Sequence, residues 1–307
     1  MTTPDTALKF PSRIGLGTWL MGELPAQHDQ DVAAISHAFD TGYRLLDTAE
    51  KYADGGAERA IGAALKSFGT GRRSDLFIVS KVSAGNATRS GTVRACEASI
   101  QRMGCDYLDL YLLHWPGQHA FTQTLSGFGE LLQRGLVRRF GVSNFDEDKL
   151  RQWIEAEQSV GLSGVGTRCN QIPYCAEVRG IECGLLPWQR AHGIQTMAYS
   201  PLRQGSLSQH SLLMQIGRER GVSAAQIALA WCLRDPDIVA IVKSANPKRI
   251  EENLRAAELR LSPEELRQID QAFPLRLRWL RQNKWLRLTR PGVRRLLRHR
   301  RGESPVT

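Results

Sequence analysis

The sequence lacks the patterns that would assign it to several common classes of protein. Its six cysteines form no Cys-x-x-Cys pair, and its seven histidines form no His-x-x-x-His or His-x-Glu pattern. Neither a thiol-redox motif nor a metal site is therefore expected. No apolar run approaches the ~18 residues of a membrane-spanning helix, and the first ten residues lack the charged start and apolar stretch of a signal peptide. These absences favour a protein of the reducing cytoplasm.

Acidic residues are almost missing from the C-terminal end. Residues 274–301 contain ten arginines and Lys284, whereas Glu303 is the one acidic residue after position 273. Subtracting those eleven cations and one acid from the 41 Lys/Arg and 31 Asp/Glu of the chain leaves 30 of each in residues 1–273. The net charge of +10 thus belongs to the tail. An anionic membrane surface, a nucleic acid or an acidic protein would have to bind there.

What the sequence does contain is an alternation of strand-like and helix-like segments. Short apolar or β-branched runs alternate with stretches whose apolar residues recur at helical spacing, such as residues 31–39, 91–103 and 223–234. The eight strand-like runs cover residues 13–17, 43–49, 76–82, 108–114, 137–144, 167–172, 195–201 and 238–244. Strand then helix, eight times over, predicts an α/β fold with a parallel sheet, closed into a (β/α)8 TIM barrel. A doubly wound open sheet is the alternative.

Helix punctuation predicts two further helices and a domain boundary. Pro247 begins one helix, and Ser262 followed by Pro263 and two acids is typical of the start of another, which ends near Phe273 and is extra to the eight units. We expect one barrel domain over residues 1–273 and a basic, Arg-rich extension over residues 274–307.

In a TIM barrel the active site forms at the carboxyl ends of the strands. The strand-like runs end in an unusual number of polar residues: Asp47 with Tyr52 on the next loop, Lys81, His114, Ser143 with Asn144, Asn170 with Gln171, Tyr199 with Ser200, and Lys243 with Ser244. Any one of them has a structural explanation. So many at one rim predict a catalytic or binding site.

The segments that carry these residues resemble the aldo-keto reductases. GLGTW (15–19), GYRLLDTAEKYADGGAE (42–58), IVSKV (78–82), DYLDLYLLHWP (106–116), GVSN (141–144), AYSPL (198–202) and KSANPKRIEEN (243–253) stand in the family's order and at similar spacing. The resemblance covers about residues 8–273 and implies a (β/α)8 barrel. TAEKYADGGAE and GLLPWQ (184–189) are similar to bacterial members that reduce small aldehydes such as methylglyoxal.

The resemblance also implies roles for individual residues. Asp47, Tyr52, Lys81 and His114 match the family's catalytic tetrad. The implied cofactor is NADP(H): its nicotinamide would lie on Tyr199, beside Ser200, and its carboxamide would bind Ser143, Asn144 and Gln171. Lys243, Ser244 and Arg249 would hold the 2′-phosphate, and Glu252 and Asn253 the adenine. A Rossmann site is not expected. Residues 15–20 begin like the motif Gly-x-Gly-x-x-Gly but have Leu20 in place of its third glycine.

The residue types account for the chemistry. Reduction of a carbonyl needs a proton donor at oxygen as hydride reaches carbon. Tyr52 is the expected acid, Lys81 is expected to lower its pKa, Asp47 to hold Lys81, and His114 to orient the carbonyl. Trp19, Met21 and Trp115, which follow strand ends, are expected to line the substrate site.

Two function classes remain open at this point. The first is an NADPH-dependent reductase of small aldehydes or ketones. The second is a cofactor-binding regulatory or scaffold subunit that docks through its basic tail. The intact tetrad favours the first, because a protein that only binds has no need of an acid, a cation and a carboxylate together. Nucleic-acid binding would rest on the tail alone.

Overall fold

A computed structural model describes residues 8–275, and within them the eight strands form a closed parallel barrel in sequence order. The strands are β1 (Ile14–Gly17), β2 (Leu45–Asp47), β3 (Phe77–Val82), β4 (Leu110–Leu113), β5 (Phe140–Ser143), β6 (Cys169–Pro173), β7 (Gln195–Tyr199) and β8 (Ile238–Val242). Because β8 pairs with β1, the predicted barrel is confirmed and the open-sheet alternative is wrong.

Helices follow the strands and surround the barrel. They are α1 (His28–Thr41), α2 (Gly56–Phe68), α3 (Arg89–Met103), α4 (Phe121–Gln133), α5 (Glu147–Ser159), α6 (Leu185–Ala191), α7 (Ser211–Arg220), α8 (Ala224–Cys232), α9 (Pro247–Arg255) and α10 (Pro263–Ala272). Two helices, α7 and α8, lie between β7 and β8. The strict strand–helix alternation expected from the sequence is therefore interrupted there.

Successive side chains of a strand point to opposite sides of the sheet and so belong to two different hydrophobic cores. Phe77 and Val79 of β3 point into the barrel and pack with residues such as Leu45, Leu110 and Met197. Ile78, between them, belongs to the larger core between the barrel and its helices. This period of two explains why Asp47, two residues after Leu45, also belongs to the inside of the barrel. The interior is thus apolar below and polar at the carboxyl ends of the strands.

The N-terminal segment closes the opposite end of the barrel. Leu8 is buried, and it joins the barrel's interior core together with the partly buried Phe10. The Phe10 and Phe77 rings meet edge to face with centroids 5.2 Å apart. Apolar side chains therefore fill this end of the barrel interior, opposite the polar end.

The last helix begins and ends as the sequence predicts. Ser262 and Glu265 form a reciprocal capping box at the start of α10: Glu265 N donates to Ser262 Oγ (3.2 Å) and Ser262 N donates to Glu265 Oε2 (2.6 Å). Phe273, after its end, packs on His210 with ring centroids 4.5 Å apart. The expected extension over 274–307 lies outside the described residues from position 276 onward. No helix within 8–275 is long and apolar enough to cross a membrane.

Candidate active site

The polar end of the barrel is built around Lys81, whose side chain is fully buried. Its Nζ donates to Asp47 Oδ2 at 2.9 Å, to the Thr48 carbonyl at 2.6 Å and to the Tyr52 hydroxyl at 3.3 Å. Lys81 follows Phe77 and Val79 at the strand period, and therefore points inward at the top of β3. Three of the four predicted catalytic residues are thus in direct contact.

Two threonines that the sequence analysis did not single out fix this arrangement. Thr18, just after β1, donates from both its backbone N and its Oγ1 to the Asp47 carbonyl, each at 3.0 Å. Thr48 supplies the carbonyl oxygen that accepts from Lys81. Both threonines are fully buried. Each lies inside a motif that carries the family resemblance, which was the available signal.

The ammonium of Lys81 remains charged in this environment. Burial lowers the pKa of Lys81, but the Asp47 carboxylate and the Tyr52 hydroxyl together outweigh burial, so the pKa lies above its usual value. A buried cation without such a partner would lose its proton. The expected role of Asp47, to hold Lys81 and keep it charged, agrees with this contact.

Tyr52 lies on the turn between β2 and α2, and its ring meets the His114 ring edge to face with centroids 5.7 Å apart. Burial raises the pKa of Tyr52; Lys81 lowers it, and Asp47 raises it. Lys81 thus acts on the pKa of Tyr52 in the expected direction, but burial exceeds the effect of the cation, so the pKa lies above its usual value. The phenol is consequently protonated at neutral pH, which is the form an acid requires.

His114 is the fourth member of the cluster, immediately after β4. Burial, together with the charges of Lys81 and Lys51, lowers the pKa of His114 to about 3. Its Nδ1 is buried and meets no hydrogen-bond partner among the described residues. A neutral imidazole can donate a hydrogen bond from one nitrogen without adding a positive charge to the site.

A second group of polar residues connects β5, β6 and β7 to the tetrad. Gln171 Nε2 donates to Asp47 Oδ1 at 2.6 Å, and Ser143 Oγ donates to the Gln171 carbonyl at 2.8 Å. Asn144, with a left-handed φ of 64°, donates to the His114 carbonyl and accepts from the Tyr199 hydroxyl at 2.8 Å. The four residues expected to bind the nicotinamide therefore lie in one network with Asp47 and His114. Ser200, next to Tyr199, is also left-handed (φ 53°).

Asn170 does not join this network. Its Nδ2 donates to the Phe145 carbonyl and to Gln189 Oε1, away from the tetrad. Since successive residues of a strand point to opposite sides, Gln171 faces the barrel interior and Asn170 faces the helices. The strand-end argument that included Asn170 is wrong for that residue.

The end of β8 and the start of α9 present positive charge to solvent. Lys243 and Arg249 are exposed, and Ser244 is buried, its Oγ accepting from Asn246 N at 3.1 Å. Asn246 caps α9 by accepting from Arg249 N at 3.1 Å. Two cations beside a helix N-terminus suit a dianionic phosphate. Farther along α9, Glu252 is half-buried and Asn253 is buried.

The residues expected to line the substrate site divide into two groups. Trp19 and Trp115 are 45% and 40% exposed, after the ends of β1 and β4. Met21 is fully buried in the outer core, so it does not line the site as expected, because the backbone reverses at Leu20 (φ 68°) and carries it inward. Leu20 and Leu24, which the sequence analysis missed, are exposed on the same loop as Trp19. Within residues 8–275 no group of three or more side chains is suited to hold a metal ion.

Comparisons with known proteins give the same assignment. The model of the aldo/keto reductase family matches residues 13–273. Methylglyoxal reductase YeaE of Escherichia coli is 41% identical over 268 residues, covering 85% of this chain and 90% of its own. Morphine 6-dehydrogenase of Pseudomonas putida is 34% identical, covering 87% of this chain and 89% of its own. A crystal structure of an aldo-keto reductase from Klebsiella pneumoniae in complex with NADPH has a TM-score of 0.79 at 41% identity, covering 85% of this chain and 91% of that one.

Proposed function

The chain belongs to the aldo/keto reductase family, and from that membership we propose that it reduces small aldehydes and ketones, methylglyoxal among them, with Tyr52 as the proton donor. The observation that carries this proposal is the contact of Lys81 Nζ with both Asp47 and the Tyr52 hydroxyl. A protein that only bound the cofactor would not need this buried arrangement of acid, cation and carboxylate. The methylglyoxal reductase relative supports the substrate class.

The reductase uses NADP(H), as the Klebsiella pneumoniae relatives crystallised with NADPH and with NADP indicate. The donor set of this chain fits such a cofactor. Lys243 and Arg249 provide charge for the 2′-phosphate at the N-terminus of α9, and Ser244 lies between them in sequence. The hydrogen bond from the Tyr199 hydroxyl to Asn144 fixes an aromatic face beside the tetrad, on which the nicotinamide would lie.

NADPH, when bound, supplies the hydride that reduces the carbonyl carbon. The protein's own contribution is at the oxygen. The Tyr52 hydroxyl gives its proton to the carbonyl oxygen as negative charge develops there, and the resulting phenolate is stabilised by Lys81 at 3.3 Å. Because burial raises the pKa of Tyr52, that cation is needed to make proton release feasible.

His114 and Asp47 act around this proton transfer. The neutral His114 imidazole orients the carbonyl oxygen toward the Tyr52 hydroxyl, from a ring that packs against the Tyr52 ring. Asp47 holds Lys81 in place and balances its charge. Trp19 and Trp115, exposed after the carboxyl ends of β1 and β4 at the same end of the barrel, provide apolar surface for the rest of the substrate.

The test is NADPH oxidation by the purified protein with methylglyoxal or a nitrobenzaldehyde, compared with Tyr52→Phe. We expect turnover by the wild type, a loss of about 10²–10⁴-fold in kcat for the variant, and a Kd for NADPH close to the wild-type value. Binding of NADPH with no turnover of any carbonyl by the wild type would favour the scaffold alternative. A variant that keeps about half the wild-type rate would remove Tyr52 from the mechanism.

A further inference from the structure

The backbone just after Tyr52 adopts a conformation that residues other than glycine seldom tolerate. Ala53 (φ 50°, ψ 40°) and Asp54 (φ 47°, ψ 50°) are both left-handed, and Gly55 (φ 78°) makes a third such residue in succession before α2 begins. In this region the Cβ atom crowds the backbone. Such a turn persists where the surrounding structure holds it, and two sets of contacts do so here.

The first contact is between the end of the turn and the loop that joins β1 to α1. A Cβ atom placed on Gly56 would lie 2.6 Å from the carbonyl oxygen of Gly22, so the two backbones are packed directly against each other. Gly22 N in turn donates to Asp31 Oδ2 at 2.8 Å. Both glycines are therefore required by the close approach of the two loops.

The second contact is made by Arg102, which extends from α3 onto the turn itself. A Cβ atom placed on Gly55 would lie 2.5 Å from both Cδ and Nε of Arg102. The guanidinium is held by Glu58 and Ser99: its Nε donates to Glu58 Oε2 at 2.6 Å and its NH2 group to Ser99 Oγ at 3.2 Å. The stem of Arg102 thus covers Gly55 while its head group is fixed.

Glu58 connects this turn to the strand that carries Lys81. Its side chain is completely buried, and its Oε1 accepts from Ser80 Oγ at 2.7 Å. Ser80 immediately precedes Lys81 on β3. One carboxylate, on α2 just after the turn that carries Tyr52, therefore bonds both to Arg102 over that turn and to the strand that carries Lys81. A buried ion pair is a weak source of stability, since apolar side chains of similar size can often replace it, so stability alone does not account for this one.

We propose that Glu58 and Arg102 are positioning residues for Tyr52: they hold the left-handed turn Ala53–Gly55 against β3 and so keep the Tyr52 hydroxyl within reach of Lys81 Nζ. This inference rests on the proposed role of Tyr52 as proton donor. It assigns a function in catalysis to two residues that contact neither substrate nor cofactor, on the outer side of the strand whose inner side carries Lys81.

The kinetic test compares Arg102→Met, Arg102→Lys and Tyr111→Phe. Tyr111 is the register partner of Ser80 on β4, and its buried hydroxyl has no hydrogen-bond partner among the described residues, so its removal is the matched control. For Arg102→Met we expect kcat to fall by about tenfold to a hundredfold, because a small misplacement of a reacting group has effects of that size. The KM and the Kd for NADPH should change by less than about twofold, because Arg102 is not among the residues assigned to the cofactor or the substrate. Arg102→Lys should recover part of the loss.

A second measurement does not depend on turnover. In protein labelled with ¹³Cζ-tyrosine, the Tyr52 resonance, assigned from Tyr52→Phe, should move or broaden in Arg102→Met and stay in place in Tyr111→Phe. A shifted resonance in a protein whose wild type reduces no carbonyl would retain the positioning effect and reject the proposed function. An unchanged resonance, or losses of kcat and NADPH binding in proportion to a lowered Tm, would overturn the positioning role.

Discussion

The candidate site has two halves at the same rim of the barrel, and they differ in how far their charged side chains are buried. At the ends of β2 and β3, Asp47 and Lys81 are buried and bonded to each other. At the end of β8 and the start of α9, Lys243 and Arg249 are exposed to solvent. Water is excluded from the first half, so its charges depend on one another, whereas each charge of the second half is solvated by itself. The buried half is therefore suited to move a proton and the exposed half to bind an anion.

The sharpest test of this comparison is a double-mutant cycle on Asp47 and Lys81. We expect Asp47→Asn and Lys81→Met each to lower kcat by about 10²–10⁴-fold, and the double variant to lose little more than either single variant, because residues that act as a unit are not additive. The measurements are kcat with a fixed carbonyl and Tm for every variant.

The matched control is the Arg73–Asp109 pair, a partly buried ion pair of 2.8 Å that lies at the other end of the barrel. Arg73→Met and Asp109→Asn should affect stability and leave kcat unchanged. If the losses at Asp47 and Lys81 multiplied in the double variant, the two residues would act independently and the description of the buried half would be wrong.

The exposed half should respond in the opposite manner. Lys243→Ala and Arg249→Ala are expected to weaken NADPH about tenfold to a hundredfold while leaving NADH nearly unchanged, since only NADPH carries the 2′-phosphate. The effects should multiply in the double variant and shrink at high salt, because exposed charges are screened.

Fluorescence titration of each variant with NADPH and with NADH, at two salt concentrations, measures these changes in affinity. Lys248→Ala is the control: Lys248 is a neighbouring cation, 86% exposed, whose ammonium lies 3.9 Å from Glu252, and nothing in its position assigns it to the phosphate. Equal weakening of NADPH and NADH by Lys243→Ala would contradict the assignment of the phosphate to this residue.

The sequence predicted the barrel and the tetrad because both depend on short-range pattern. Leu45 and Asp47, or Val79 and Lys81, are two residues apart, and this period places them on one side of a strand. Strand ends were predicted less well: residues 43–49 were expected and Leu45–Asp47 observed. The pattern of apolar residues extends beyond the last ladder hydrogen bond.

What the sequence could not predict depends on contacts between distant segments. Asp54 is of a type that tolerates left-handed backbone and Gly55 favours it, but nothing in the sequence signals this conformation at Ala53. The Glu58–Arg102 pair joins residues 44 positions apart. The net direction of the Tyr52 pKa was likewise beyond reach, since it depends on how completely the fold buries the phenol.

The buried half should also respond to pH through His114. Its pKa is lowered from 6.5 to about 3, so below about pH 6.5 the unfolded chain takes up a proton that the folded chain does not, and stability falls as pH decreases toward 3. Between pH 7 and pH 5 the free energy of unfolding should fall by up to about 2 kcal/mol from this residue.

Chemical denaturation of the wild type and of His114→Asn at both pH values isolates this contribution, with His192→Gln, a change at an exposed histidine, as the control. The decrease between pH 7 and pH 5 should be smaller in His114→Asn and the same as wild type in His192→Gln. Identical decreases in all three proteins would show that His114 is not held neutral by the fold.

The smallest expected effect comes from removing the basic extension. We expect its charge to act on the exposed half at long range only, and to leave the buried half unaffected. Truncation after Leu275 removes ten arginines, Lys284 and Glu303 and leaves the domain formally neutral. The described chain is anchored just before that point, where Arg179 donates to the Phe273 carbonyl at 3.2 Å, so we expect Tm and kcat to be unchanged. Charges more than about 10 Å apart are screened at 0.1 M salt, so the Kd for NADPH should rise by less than about threefold, and only at low salt.

Titration of the truncated and full-length proteins with NADPH at 0.01 M and 0.15 M salt, with kcat measured in parallel, tests the expected effect of the truncation. A lower kcat, or a KM that rises for a large carbonyl but not for a small one, would show that the extension takes part in the substrate site and that the buried half is not complete within residues 8–275.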